Sequence, residues 1–130
     1  MRISQDLIDE IVAHAREDAP NECCGLVGGR DGSAVGVYRA KNLFESPMRF
    51  EIDDLQRRLS AIEDAGQELV AMYHSHPRSE AYPSETDRNL AWGWPGVVWV
   101  ICSLAGSEPV VRAFEIADKE VDEIELELVS

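Results

Sequence analysis

Leu7, Ile8, Ile11, Val12 and Ala15 recur at the spacing of one helical face. Ser4 stands where an N-cap would, and Pro20 lies just past the end. From Cys23 to Gly29 the chain is short, apolar and bounded by turn residues, the pattern of a buried strand. Arg30-Asp31-Gly32 marks a hairpin turn, and Ala34 to Ala40 reads as the returning strand. Arg49 to Ile52 reads as a further short strand. Asp53 or Asp54 can cap a second helix that turns Leu55, Leu59 and Ile62 inward, with Gly66 at its end. Leu69 to His74 predicts a strand and Pro77 to Pro83 a loop. Ser84 opens a third helix running to about Trp92, broken by Gly93-Trp94-Pro95-Gly96. Val97 to Leu104 is β-branched and apolar enough for a central strand. Val110 to Ile116 and Val121 to Val129 complete the sheet. In the last, Ile124, Leu126 and Leu128 alternate with Glu125 and Glu127, which puts one face on the core and the other in water.

This order of elements predicts an α/β fold: a mixed β-sheet sandwich with helices packed on it. There is no internal repeat, low-complexity tract or linker, and 130 residues suit one domain, so residues 1–130 are read as a single unit.

Composition narrows the function. Lys and Arg number 12 against 25 Asp and Glu, a net charge of −13. That disfavours nucleic acid and anionic lipid as partners, since both call for a basic face. Seven acids and one lysine fall between Glu115 and Ser130. No apolar run approaches the roughly 18 residues of a membrane span. Asp6, Asp9 and Glu10 interrupt the only N-terminal segment that could have served as a signal sequence. Cys23, Cys24 and Cys102 are odd in number and lack a disulfide-framework spacing, which points to a reducing, cytoplasmic setting.

The chemistry concentrates in His74-Ser75-His76, followed by Ser84 and Asp87. Residues two apart on a strand point to the same side, so both imidazoles can aim at one point. A loop then returns the chain, and a helix starting at Ser84 places Asp87 in its first turn. Two His nitrogens and one carboxylate oxygen make three ligands for one Zn²⁺ per chain, with the fourth position open as a catalytic zinc requires. Glu22, at the start of a buried apolar strand, is the candidate for proton transfer beside the metal. Each piece alone has a blander explanation. Ser84-Glu85-Thr86-Asp87 also fits a capping box. His-x-His occurs by chance, and Glu22 could sit at a strand edge. Cys23 and Cys24 read as buried small hydrophobes, although a thiol peptidase using one of them with His74 is an alternative. His14 reads as solvated, Trp92, Trp94 and Trp99 as core, and Phe44 to Phe50 as a connecting loop, with a substrate loop as the alternative.

Taken together, Glu22, His74-Ser75-His76, seven residues, then Ser84-x-x-Asp87 resembles the pattern of the JAMM (MPN+) metalloproteases. Asn21-Glu22-Cys23-Cys24-Gly25 and His76-Pro77-Arg78-Ser79-Glu80-Ala81-Tyr82-Pro83-Ser84 are similar to the small bacterial JAMM peptidases of the Mec type. The resemblance implies an MPN-like fold with the layering of a cytidine deaminase. It implies that His74, His76 and Asp87 bind zinc, that Glu22 is the general acid/base, and that Ser84 helps hold the oxyanion. It further implies hydrolysis of the amide bond after the C-terminal, Gly-rich tail of a ubiquitin-like sulfur-carrier protein, with cysteine as one leaving group, by a monomer or homodimer. Deubiquitinase-like isopeptidase activity and a non-catalytic MPN scaffold are the alternatives within the resemblance.

Overall fold

A computed structural model describes residues 1–129. The chain runs β1 (Arg2–Ser4), α1 (Gln5–Asp18), β2 (Cys24–Arg30), β3 (Ser33–Ala40), α2 (Leu55–Asp64), β4 (Glu68–His76), α3 (Glu85–Leu90), β5 (Val98–Ser103), β6 (Val110–Ala117), β7 (Glu120–Ile124) and β8 (Glu127–Val129). A 3-10 turn over Ala91–Gly93 extends α3.

The local causes are those of the sequence. Ser4 caps α1 by accepting from the Leu7 N–H through its side chain. Gly66, at φ 72°, ends α2 in the left-handed region that suits glycine. Asp54 stands at the N-cap of α2 but makes no side-chain cap bond. Asp53 instead accepts from the Lys41 N–H and pairs with Arg58 at 2.6 Å, tying the helix start to the end of β3.

The eight strands form one mixed sheet in the order β7-β6-β5-β4-β2-β3-β1-β8. Laid flat, seven gaps of about 4.8 Å would put β7 and β8 roughly 34 Å apart. Yet only Glu125 and Leu126 join them, a span of at most about 11 Å. The sheet therefore curls until its two edges lie close together. The segment expected as one strand over 121–129 is two short ones: after β7 pairs with β6, the chain crosses over and β8 pairs in parallel with β1. The three-residue β1, too short to show a period, was not expected. Nor does Arg49–Ile52 form a strand, because only an isolated bridge joins Asn42 and Ile52.

Two apolar layers sandwich the sheet. Ile11 and Ala15 of α1 pack with Val27, Tyr73, Val100 and Cys102 on one face. Ile62 of α2, Phe50 and Ala91 pack with Leu26, Met72, Trp99 and Ile101 on the other. Alternation along β4 sends Tyr73 and Ser75 toward α1 and sends Met72, His74 and His76 toward the opposite face. Gly25 pairs with Tyr73 across β2 and β4, and the ring lies over it: a Cβ there would meet ring atoms at 2.4 Å.

Candidate metal centre

β4 is central, between β2 and β5, and ends in His74-Ser75-His76. Its last turnable positions are fixed by neighbours. The Cys23 N–H donates to Ser75 Oγ at 2.8 Å, and the Ser75 N–H donates to the Cys23 carbonyl at 3.1 Å. These bonds lock the start of β2, and Glu22 just before it, beside the two histidines.

The three expected ligands converge. His74 Nε2 and His76 Nε2 lie 3.2 Å apart, and each is 3.1 Å from Asp87 Oδ2. All three residues are buried. The expected capping box forms, and it leaves Asp87 Oδ2 facing both histidines. Ser84 Oγ accepts from the Asp87 N–H, and Asp87 Oδ2 accepts from the Ser84 N–H, each at 3.0 Å. The capping box thus aims the carboxylate rather than competing with its use. His76 donates from Nδ1 to the Glu80 carbonyl at 2.8 Å, which leaves a lone pair on Nε2 in the neutral ring.

This donor set fits a divalent cation. A tetrahedral zinc with bonds of about 2.0–2.1 Å separates its ligand atoms by roughly 3.3 Å, close to the spacings found. Two imidazole nitrogens facing each other and one carboxylate oxygen share too few protons to satisfy all three contacts, whereas a cation accepts from all of them. Among the described residues three buried side-chain atoms are without a partner, Glu22 Oε1, His74 Nδ1 and Trp99 Nε1.

The electrostatics follow from burial and these contacts. Burial pushes the Glu22 carboxyl up to about 8; His76 draws it down and Asp87 pushes it further up. Burial would also raise Asp87, but His74, His76 and the Ser84 N–H hold it well below the usual carboxylate range. Burial lowers His74. Burial lowers His76 too, but Asp87 and the Glu80 carbonyl outweigh it and the net shift is upward.

Several side chains stand elsewhere than the sequence suggested. His14 is buried, not solvated: its Nδ1 shares a 2.7 Å hydrogen bond with the Tyr73 hydroxyl and its Nε2 faces Asp18 at 3.3 Å. Trp92 is 65% exposed rather than core, because the 3-10 turn swings it outward, while Trp99 is fully buried. Cys23 and Cys24 are buried, and burial pushes the Cys24 thiol up to about 12, which removes the thiolate a thiol peptidase would need. The loop after β3 is more than a connector. Its Phe50 is buried and stacks on His74. Asn42 holds this loop: its Nδ2 donates to the carbonyls of Glu22 (3.1 Å) and Arg49 (2.9 Å), and its Oδ1 accepts from the Phe44 and Glu51 N–H groups. The Glu22 N–H donates to the Ser46 carbonyl at 2.8 Å. No spacing or motif in the sequence marks Asn42 or Phe50. Among the described residues no helix is long and apolar enough to cross a membrane.

Known proteins resemble this chain in sequence and in fold. Residues 4–117 match the family of prokaryotic homologs of the JAB domain. A desampylase of Haloferax volcanii is 41% identical over 115 residues, covering 82% of each chain. A CysO-cysteine peptidase of Mycobacterium bovis is 36% identical over 126 residues, covering 93% of this chain and 86% of the relative. A solution structure of a protein from Desulfitobacterium hafniense superposes with a TM-score of 0.85 at 38% identity, over 98% of this chain and 92% of that one. The chain belongs to the prokaryotic JAB-domain family, the JAMM family whose Glu, His-x-His and Ser-x-x-Asp pattern it carries.

Proposed function

We propose that the chain is a zinc-dependent peptidase that hydrolyses the amide bond after the C-terminal tail of a ubiquitin-like sulfur-carrier protein, with cysteine as one leaving group. The convergence of His74 Nε2, His76 Nε2 and Asp87 Oδ2 within 3.2 Å of one another carries this reading. The names of the two relatives, a desampylase and a CysO-cysteine peptidase, support the substrate class.

His74, His76 and Asp87 would hold the zinc, leaving its fourth position open. Zinc bound there supplies a Lewis acid that polarises a carbonyl and lowers the pKa of water toward about 7. Glu22 handles the proton. Its Oε1 is buried without a partner beside the histidines, placed to take a proton from water and return it to the leaving amine. Ser84 Oγ already accepts from the Asp87 N–H, which leaves its own O–H free to donate to an oxyanion. The substrate tail would lie extended, held through its backbone N–H and C=O groups. Three free, buried cysteines suit a reducing compartment.

The test is cleavage, read by mass spectrometry, of a carrier protein whose Gly-Gly terminus is extended by cysteine or by a short peptide. Zinc-loaded wild type should release the extension, and Glu22→Gln should keep its zinc and lose most of the rate. A chain carrying one zinc that leaves both adducts intact would overturn the assignment.

A further inference from the structure

The two histidines of the site are held in different ways. His76 donates its Nδ1 proton to the Glu80 carbonyl, the usual device that fixes the tautomer and plane of a metal-binding imidazole. His74 has no such bond. It is fully buried, and its Nδ1 is without a partner. Aromatic rings surround it instead. Phe50 lies nearly parallel to it, with centroids 4.5 Å apart and planes at 23°. Trp99 meets it edge-on at 5.6 Å and 89°, and Phe50 and Trp99 touch each other at 6.2 Å. The indole N–H of Trp99 is itself partnerless.

We propose that Phe50 is the positioning residue for His74: its ring replaces the missing hydrogen bond and fixes the imidazole plane so that Nε2 points at His76 and Asp87. This rests on the reading of those three residues as a metal site. The stacked geometry explains how it acts. Rotating the imidazole about its Cβ–Cγ bond would drive an edge into the Phe50 face and lose the stacked contact. The loop is built to hold that face still. Asn42 bonds the backbone on both sides of Phe50, at the Arg49 carbonyl and the Glu51 N–H. The same side chain holds the Glu22 carbonyl. One buried amide therefore sets the ring that orients a ligand and the strand start that carries the acid/base.

The experiment compares wild type, Phe50→Leu and Phe114→Leu. Phe114 is fully buried in the same apolar cluster, but its ring packs on Tyr82, not on His74. Zinc affinity is measured by competition with a chromophoric chelator, and ligand geometry by the visible absorption of the cobalt-loaded proteins. Circular dichroism checks folding. Should the leucine variant not fold, Phe50→Met, whose flexible chain fills irregular space, takes its place. Phe50→Leu should lose about 10- to 100-fold in zinc affinity, the usual effect of removing an orienting partner, and change the cobalt spectrum. Phe114→Leu should do neither. A Phe50 variant that binds zinc as wild type does, with an unchanged cobalt spectrum, overturns the proposal. So does an equal loss in Phe114→Leu. Wild type that binds no metal would instead sink the site itself, and the proposal with it.

Discussion

Glu22→Gln in the metal-free protein should change how stability depends on pH. The folded chain holds this carboxyl at about 8, against 4.5 for an ordinary glutamate, chiefly because burial disfavours the charged form. A folded-state value above the unfolded one means that the native state binds the extra proton. The associated stability is fully present below about pH 4.5 and is lost as the pH rises through about 8. The interval between 4.5 and 8, at about 1.4 kcal/mol per pH unit, corresponds to roughly 5 kcal/mol. That is a large share of the 5–15 kcal/mol typical of a domain. Glutamine has the shape of the protonated carboxyl and no charge, so the variant should lack this dependence. His14 and His74, both lowered by burial, act in the opposite sense but are common to both proteins and cancel in the difference, whereas His76, raised in part by Glu22, loses that part in the variant. The assay is urea unfolding of both proteins in chelator, in steps from pH 5 to pH 9. Wild type should lose several kcal/mol relative to Glu22→Gln across that range, most of it between pH 5 and 8. Parallel curves, or a difference that grows in favour of wild type, would show that the carboxyl is not held protonated by its surroundings.

Ser84→Ala and Asp87→Ala each break the capping box of α3 and should each cost about 1 kcal/mol in chelator, but only Asp87→Ala should lose zinc on elemental analysis. Saturating zinc should stabilise wild type: at 100 times Kd the gain is about 2.7 kcal/mol, or roughly 10 °C in Tm by calorimetry, and His76→Ala should show none of it. Gly25→Ala must displace the Tyr73 ring and its bond to His14, and should cost about 1–3 kcal/mol on urea unfolding. Iodoacetamide should leave Cys23, Cys24 and Cys102 of the folded protein unmodified by mass and its activity intact, whereas a chelator should abolish activity.

Much of this was legible in the sequence because the controlling forces are local. A strand's period of two put His74 and His76 on one face, and capping chemistry put Asp87 in the first turn of α3. Short apolar runs bounded by turn residues located the central strands β2 and β5. What stayed hidden depends on contacts between distant segments. Closure of the curled sheet splits the C-terminal segment into β7 and β8, and no local signal distinguishes that from one long strand. Burial of His14 requires Tyr73, 59 residues away. Phe50 reads as part of a connecting loop, and nothing local marks Asn42, until the fold brings them to His74 and Glu22. Trp92 looks like core because it is large and apolar, yet the 3-10 turn directs it outward.

If His74, His76 and Asp87 hold a metal ion, the ion should be found on the purified chain. Metal content per chain, by elemental analysis of wild type and His76→Ala purified without chelator, tests this most directly. Wild type should carry about one zinc per chain and the variant close to none. Wild type that stays metal-free after incubation with zinc, or a variant that retains a full equivalent, would contradict the assignment.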